Sequence, residues 1–252
     1  MHTFRFLIFL LCCYPWISIT SSQQAYGGPE VYYVQRKREG GSWQNGWVGG
    51  VRIGYDRIKR YGIYVGGDAL YSWGRLKGKG PEDTSLKSNF MDASIEGRLG
   101  YTFQQKAERQ FSFTPYLGGG YLVETNNFID PSPLKLHTQT RFSYACAGFL
   151  SSMNVSPQFA VGLNFKAKYM IDGRHYISHD PEHEPVDMLV KNEMQYRVEI
   201  PIVYRWCERY DYGVVPFYEY RHYGGQASFP FDFLDTKLNL YGITLKFIYY
   251  LD

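Results

Sequence analysis

The sequence predicts an all-β chain: a single up-and-down antiparallel β-barrel of ten strands that crosses a membrane, with eight strands as the alternative. Three observations predict it. Apolar residues recur at every second position over stretches of ten residues or more, and after Gly40 no stretch offers an apolar stripe of helical period. The connections between these stretches alternate between short and long, as in a meander whose two ends differ. The first 22 residues have the order of an export signal. Aromatics supply 18 % of the 252 residues and charged residues 20 %, which is not the composition of a disordered chain. A net charge of +3 gives no basic face for nucleic acid.

Residues 1–22 read as a cleaved signal peptide. Arg5 precedes an apolar run from Phe6 to Ile19, and the small residues Thr20, Ser21 and Ser22 follow. As a membrane anchor the run is short for a span of about 20 residues, and Pro15 breaks it. Leu-Leu-Cys at 10–12 is a poor lipoprotein signal. The barrel domain then occupies 23–252 and keeps only Cys146 and Cys207, too few for a disulfide framework.

Strand by strand, the clearest alternation is 190–206. Val190, Met194, Tyr196, Val198, Ile200, Ile202, Tyr204 and Trp206 fall on one face, and Lys191, Glu193, Gln195, Arg197, Glu199 and Arg205 on the other. Residues 90–103, 159–172 and 236–251 repeat the pattern, the last with Tyr241, Ile243, Leu245, Phe247, Tyr249 and Leu251 on one side. Glycine-richer alternation runs through 46–57, 61–74, 111–125, 140–152 and 212–223. Short turns fall near 58–60, 104–110, 153–158 and 207–211, and long polar segments at 75–88, 126–139, 173–189 and 224–235. A meander with its short turns on the periplasmic side needs a strand before 46–57, and Val31–Arg38 supplies it, giving an even number.

Alternation alone does not say which face meets lipid. Three features put the apolar face outward. Aromatic residues cluster near strand ends (Trp47 and Tyr55, Tyr61 and Trp73, Tyr101 and Phe103, Tyr204 and Trp206), as girdles at headgroup depth require. The polar face carries balanced charge: Arg52, Arg98, Lys166, Lys168, Lys191, Arg197, Arg205 and Arg221 against Asp56, Asp68, Glu96, Glu124, Asp172, Glu193, Glu199 and Glu219. Such a set can pair across a narrow lumen. Glycines such as Gly49-Gly50, Gly66-Gly67 and Gly118-Gly119-Gly120 suit a wall where neighbouring side chains crowd.

With its export segment, alternating strands and final Tyr241–Leu251 run, the chain resembles bacterial outer-membrane β-barrels, in particular the small OmpA/OmpX-like or omptin-like barrels of eight to ten strands. The resemblance implies a bacterial outer-membrane location. It also implies an aromatic closing residue read by the assembly machinery; here the aromatics are displaced, since the chain ends Phe247-Ile248-Tyr249-Tyr250-Leu251-Asp252.

The residues predict no catalytic, cofactor-binding or metal site. The loop 173–189 holds His175, His179 and His183 with Asp180, Glu182, Glu184 and Asp187. Pro181 and Pro185 oppose the helix that would align the histidines, so the expectation is a solvated acidic loop and not a zinc site. The omptin resemblance would implicate Asp172 and His175 with Glu82 and Asp83, but neither pair has that family's spacing. A lipid hydrolase needs a serine beside a histidine, and His222 has none before Ser228. Cys146 is expected to face lipid with Phe142 and Tyr144, and the aromatic segment 229–234 to fold over the barrel mouth, with insertion into a membrane or contact with a host surface as the alternatives. The expected function is a non-enzymatic, monomeric barrel without cofactors. Its role is structural or surface-interacting, with host or extracellular ligands met through the loops. A narrow solute channel and an omptin-like protease are the alternatives.

Overall fold

In a computed structural model of the chain, the described residues are 21–59, 61–105, 110–133, 135–181, 183–227 and 232–251. The signal segment therefore lies outside them, apart from Ser21 and Ser22. Ten strands close into an antiparallel barrel. They are β1 (Ser21–Arg38), β2 (Trp43–Lys59), β3 (Gly62–Lys79), β4 (Ser85–Gln105), β5 (Phe111–Phe128), β6 (His137–Asn154), β7 (Phe159–Val161 and Asn164–Ser178), β8 (Val186–Leu189, Met194–Glu199 and Ile202–Arg205), β9 (Tyr210–Tyr223) and β10 (Thr236–Tyr250). Each pairs with its sequence neighbours, and β1 closes the cylinder on β10 from Gln24↔Tyr250 to Arg38↔Thr236. All ten predicted strands are present.

The two interrupted strands break for local reasons. Pro201 has no N–H to donate, so the β8 ladder lapses there, and its carbonyl accepts instead from Gly162 N at 2.8 Å, where β7 also breaks. Higher on β7, Asp172 adopts φ 51° and the register against β6 shifts between Arg141 and Ser143, a bulge that re-aims the strand.

Three of the four segments read as long polar loops are partly strand. β3 continues to Lys79 and β4 starts at Ser85, β5 runs to Phe128, and β7 reaches Ser178. Backbone pairing does not require apolar side chains, so the ladder persists above the membrane where the alternation fades. In the same way β1 begins well before Val31 and passes through Pro29.

The faces divide as expected. Trp47, Ile53, Trp73, Ile95, Leu117, Ile200 and Leu245 point outward and are exposed, while Arg52, Asp92, Glu96, Arg197, Glu219 and Arg221 are buried inside. Two aromatic girdles bound the apolar belt. The outer one includes Tyr33–Trp47 (5.3 Å between rings), Tyr71–Trp73 (5.7 Å) and Tyr218–Tyr241 (5.1 Å). The inner one includes Phe159–Tyr204 (5.1 Å), Tyr210–Tyr249 (5.1 Å) and Tyr101–Phe103 (5.0 Å). From Tyr241 to Tyr249, at ~3.3 Å per residue and a tilt of ~40°, the girdles stand ~20 Å apart, close to the ~25 Å belt of such barrels.

Candidate functional site

The lumen is where this sequence concentrates its chemistry, and its large inward side chains are buried. Inward positions along β1, β2 and β3 bring Glu30, Arg52 and Asp68 together. Glu30 accepts from Arg52 Nε at 2.6 Å and Nη2 at 3.0 Å and from Thr244 Oγ1 at 2.7 Å, with Arg197 Nη2 at 3.4 Å. Arg52 also pairs with Asp68, which meets Arg98 at 3.0 Å. Glu96 takes Lys166 at 2.7 Å and the Tyr144 hydroxyl at 2.9 Å. Glu219 accepts from three cations: Lys168 at 2.7 Å, Arg197 at 2.9 Å and Arg221 at 2.9 Å. Arg221 continues to Asp92 at 2.8 Å and to Glu124 at 3.6 Å, and Glu124 to Arg36 at 3.5 Å. One network of alternating sign thus climbs the barrel from Asp56 and Arg98 (3.6 Å) to Arg36.

Tyrosines fill the space between the ions, and glycines make room for them. Tyr26 lies opposite Gly54, Tyr32 opposite Gly242, Tyr116 opposite Gly148 and Tyr144 opposite Gly120. A Cβ at Gly54 would sit inside the Tyr26 ring, and one at Gly120 would lie 2.5 Å from the Tyr144 hydroxyl. Alongside the outermost ions an apolar cluster that includes Val34, Leu76, Phe90, Phe142, Met170 and Leu240 packs in the lumen. The cavity among Tyr26, Arg52, Asp68, Arg98, Lys166 and Lys246 is about 20 Å³, the room of one or two waters.

Several expectations need correcting. Cys146, Phe142 and Tyr144 point into the lumen, not toward lipid, and are nearly inaccessible. On β6 the outward positions are small (Ser143, Ala145, Ala147), because the lumen claims the large side chains. Lys191 and Asp172 do not join the interior set; both side chains are exposed at the outer end. His175 is not solvated. Its Nδ1 lies 2.8 Å from Thr140 Oγ1, and its ring packs on Phe233 at 4.5 Å. Phe233 is itself buried at the mouth, while residues 229–231 lie outside the described residues. The lumen also uses Glu30, Arg36 and Lys246, which alternation within the predicted strands did not single out. Their signal is parity: Glu30, Tyr32, Val34 and Arg36 share one face of β1.

The protease residues do not assemble. The bulge turns Asp172 outward while His175 points in, and Asp83 is exposed in the turn Pro81–Asp83, 2.9 Å from Lys79. His222 faces outward between two carboxylates, 2.7 Å from Asp235 and 3.6 Å from Glu193. Ser228 lies outside the described residues. Among the described residues no three potential ligands come together for a metal ion; Glu182 is not among them.

At the outer rim the His137 ring pairs with Asn127 and faces His179 at 5.9 Å. Burial and the neighbouring histidine both hold its pKa below the ordinary value.

No protein-family model matches the chain, and no curated protein matches its sequence. Solved structures do. The outer membrane protease OmpT from Escherichia coli superposes with a TM-score of 0.53 at 12 % identity, over 92 % of this chain and 96 % of that one. The transport unit of the autotransporter AIDA-I from Escherichia coli gives 0.46 at 11 % identity, over 96 % and 97 %. Ail of Yersinia pestis gives 0.35 at 10 %, over 90 % and 99 %. At these identities the likeness is one of architecture, and the architecture is that of the ten-stranded outer-membrane β-barrels.

Proposed function

We propose that this chain is a plugged barrel of the bacterial outer membrane whose role is structural and surface-presenting, neither conducting nor catalytic. The filled lumen carries this reading. Opening a path would mean breaking buried ion pairs, each costing roughly 3–5 kcal/mol when one partner is left unmatched. A small barrel has little interior beyond what side chains occupy. What remains available to partners is the rim: the turns 39–42 and 80–84, the connections 129–136 and 179–185, and the exposed strand ends beneath them. A rigid cylinder that holds such segments in fixed positions is a scaffold for recognition.

Planar-bilayer recording tests it. The purified protein, shown to be folded by heat-modifiable gel mobility, should give no stepwise conductance. Regular single-channel steps from the unmodified protein would overturn the reading in favour of a narrow channel. Cleavage of basic peptides that is lost on changing His222 or Asp235 would overturn it in favour of an enzyme.

A further inference from the structure

Where β5, β6 and β7 end at the outer rim, the ladders beneath bring two imidazoles together. The β5–β6 register sets Asn127 beside His137, and the β6–β7 register sets His137 beside Ser178, the last residue of β7. By strand parity the next residue, His179, belongs to the lumen side with His175 and Ile177. Its φ of 65° ends the strand instead, and its ring stands edge-on to that of His137, with 5.9 Å between ring centres and 75° between planes. Each Nδ1 has an oxygen beside it: the Asn127 side-chain oxygen for His137, and the Ser178 hydroxyl at 3.1 Å for His179. When these nitrogens carry the ring protons they donate to those oxygens. Both Nε2 lone pairs are then left without a partner among the described residues.

We propose that His137 and His179 form a two-imidazole site for a divalent transition ion, holding copper(II) best and zinc or nickel more weakly. An ion about 2.0–2.1 Å from one nitrogen of each ring, with its bonds at a tetrahedral or wider angle, sets the ring centres roughly 5–6 Å apart, the spacing found here. Ring N–H groups turned toward oxygens are the usual support of ligating histidines, because they fix the tautomer and aim the free nitrogen. Imidazole suits copper, zinc and nickel, and copper is bound most tightly of the three where the protein imposes no geometry. Burial and His179 keep the His137 ring neutral at ordinary pH, the form that ligates. No third protein ligand joins the two among the described residues. Asp180 accepts from the His183 backbone N–H at 3.2 Å and lies 3.3 Å from its Nδ1, and His175 points into the lumen toward Thr140. The other coordination positions go to water at this exposed rim. The inference does not depend on whether the lumen conducts.

Copper(II) titration of the folded protein tests it, in detergent, without an affinity tag, and in a buffer that does not bind metal. His2, the one histidine outside the described residues, is replaced by Gln throughout. At about pH 7.5, above the ordinary imidazole range, one equivalent should give an electron paramagnetic resonance signal whose spin-echo modulation reports two imidazoles. His137→Gln and His179→Gln should each lower the affinity at least about tenfold, since even a supporting partner of a ligand is worth that much. Each should leave a single imidazole in the spectrum and keep heat-modifiable mobility. His179 sits in an exposed turn, so its variant carries the test should His137→Gln fail to fold. His183→Gln and His222→Gln should change neither affinity nor spectrum. Lowering the pH to about 5.5 should release the ion, because protons then compete for the ring nitrogens. A single imidazole in the parent spectrum overturns the inference, as does binding that survives both substitutions. Binding that persists at the lower pH overturns it in favour of carboxylate ligands. Loss of the ion on His183→Gln or His222→Gln overturns it in favour of a site beside Asp180 or Asp235.

Discussion

Replacing Glu219 by Gln tests whether the lumen is held by its ions. The Glu219 side chain is 1 % exposed and accepts from Lys168, Arg197 and Arg221. The three cations are not equally dependent on it. Arg197 keeps Glu199 at 2.7 Å and Glu30 at 3.4 Å, and Arg221 keeps Asp92 at 2.8 Å. Lys168 has no other carboxylate partner among the described residues, only the face of Tyr144 at 5.3 Å. Glu219→Gln therefore strands one buried ammonium, which costs about 3–5 kcal/mol. With a denaturant slope of ~2–3 kcal/mol/M, the urea midpoint in vesicles falls by about 1–2.5 M, read by tryptophan fluorescence and by heat-modifiable mobility. Adding Lys168→Met removes the stranded charge and should restore most of the loss, because a buried pair replaced as a whole is often neutral. A Glu219→Gln midpoint within about 0.3 M of the parent would refute the argument. So would a double variant no more stable than the single one, since coupled neighbours must deviate from additivity.

Other outcomes follow from the same geometry. Gly54→Val drives a branched side chain into the Tyr26 ring, so the folded gel band should be largely lost, and Tyr26→Ala in the same chain should restore it. Cys207 sits half-buried at the short turn after β8 and Cys146 is buried in the lumen. A membrane-impermeant maleimide should spare both in intact cells, label Cys207 once the inner side is opened, and reach Cys146 only after denaturation; labelling of Cys207 in intact cells would invert the orientation. His137 carries a lowered pKa, so the unfolded chain takes up its proton first and stability falls as pH drops below about 6.5. The group is only part-buried at the rim, so solvent screening keeps the effect under ~0.5 kcal/mol. His137→Gln should flatten the slope of urea midpoint against pH between about 7.5 and 5.5, and an unchanged slope would assign it elsewhere.

The strands and their lipid face were legible because the membrane imposes a rule that local sequence obeys. Each outward residue of β8 and β10 must tolerate hydrocarbon, so Ile200, Ile202, Leu245 and Phe247 alternate cleanly with polar neighbours. The rule lapses where hydrocarbon ends. Above the outer girdle β3 carries Arg75, Lys77 and Lys79 on its outward face, so the pattern dissolves although the ladder continues. Sequence reading therefore placed loops where strands persist.

Cys146 was misplaced for a deeper reason. In a filled barrel the inside holds aromatic rings as the outside does, and on β6 it holds Phe142, Tyr144 and Cys146 against outward serine and alanine. Hydrophobicity then cannot separate the faces, but volume can. A lumen of fixed girth accepts a large ring only where the strand alongside recedes, so an inward tyrosine calls for a glycine across the ladder. Tyr26 with Gly54, Tyr116 with Gly148 and Tyr144 with Gly120 all satisfy this condition. In the register of β5 against β6, Gly120 falls opposite Tyr144, and the side toward which β6 turns its rings follows from that pairing. The glycine triplet of β5 thus records the position of a ring on the next strand, information that alternation within a single strand does not contain.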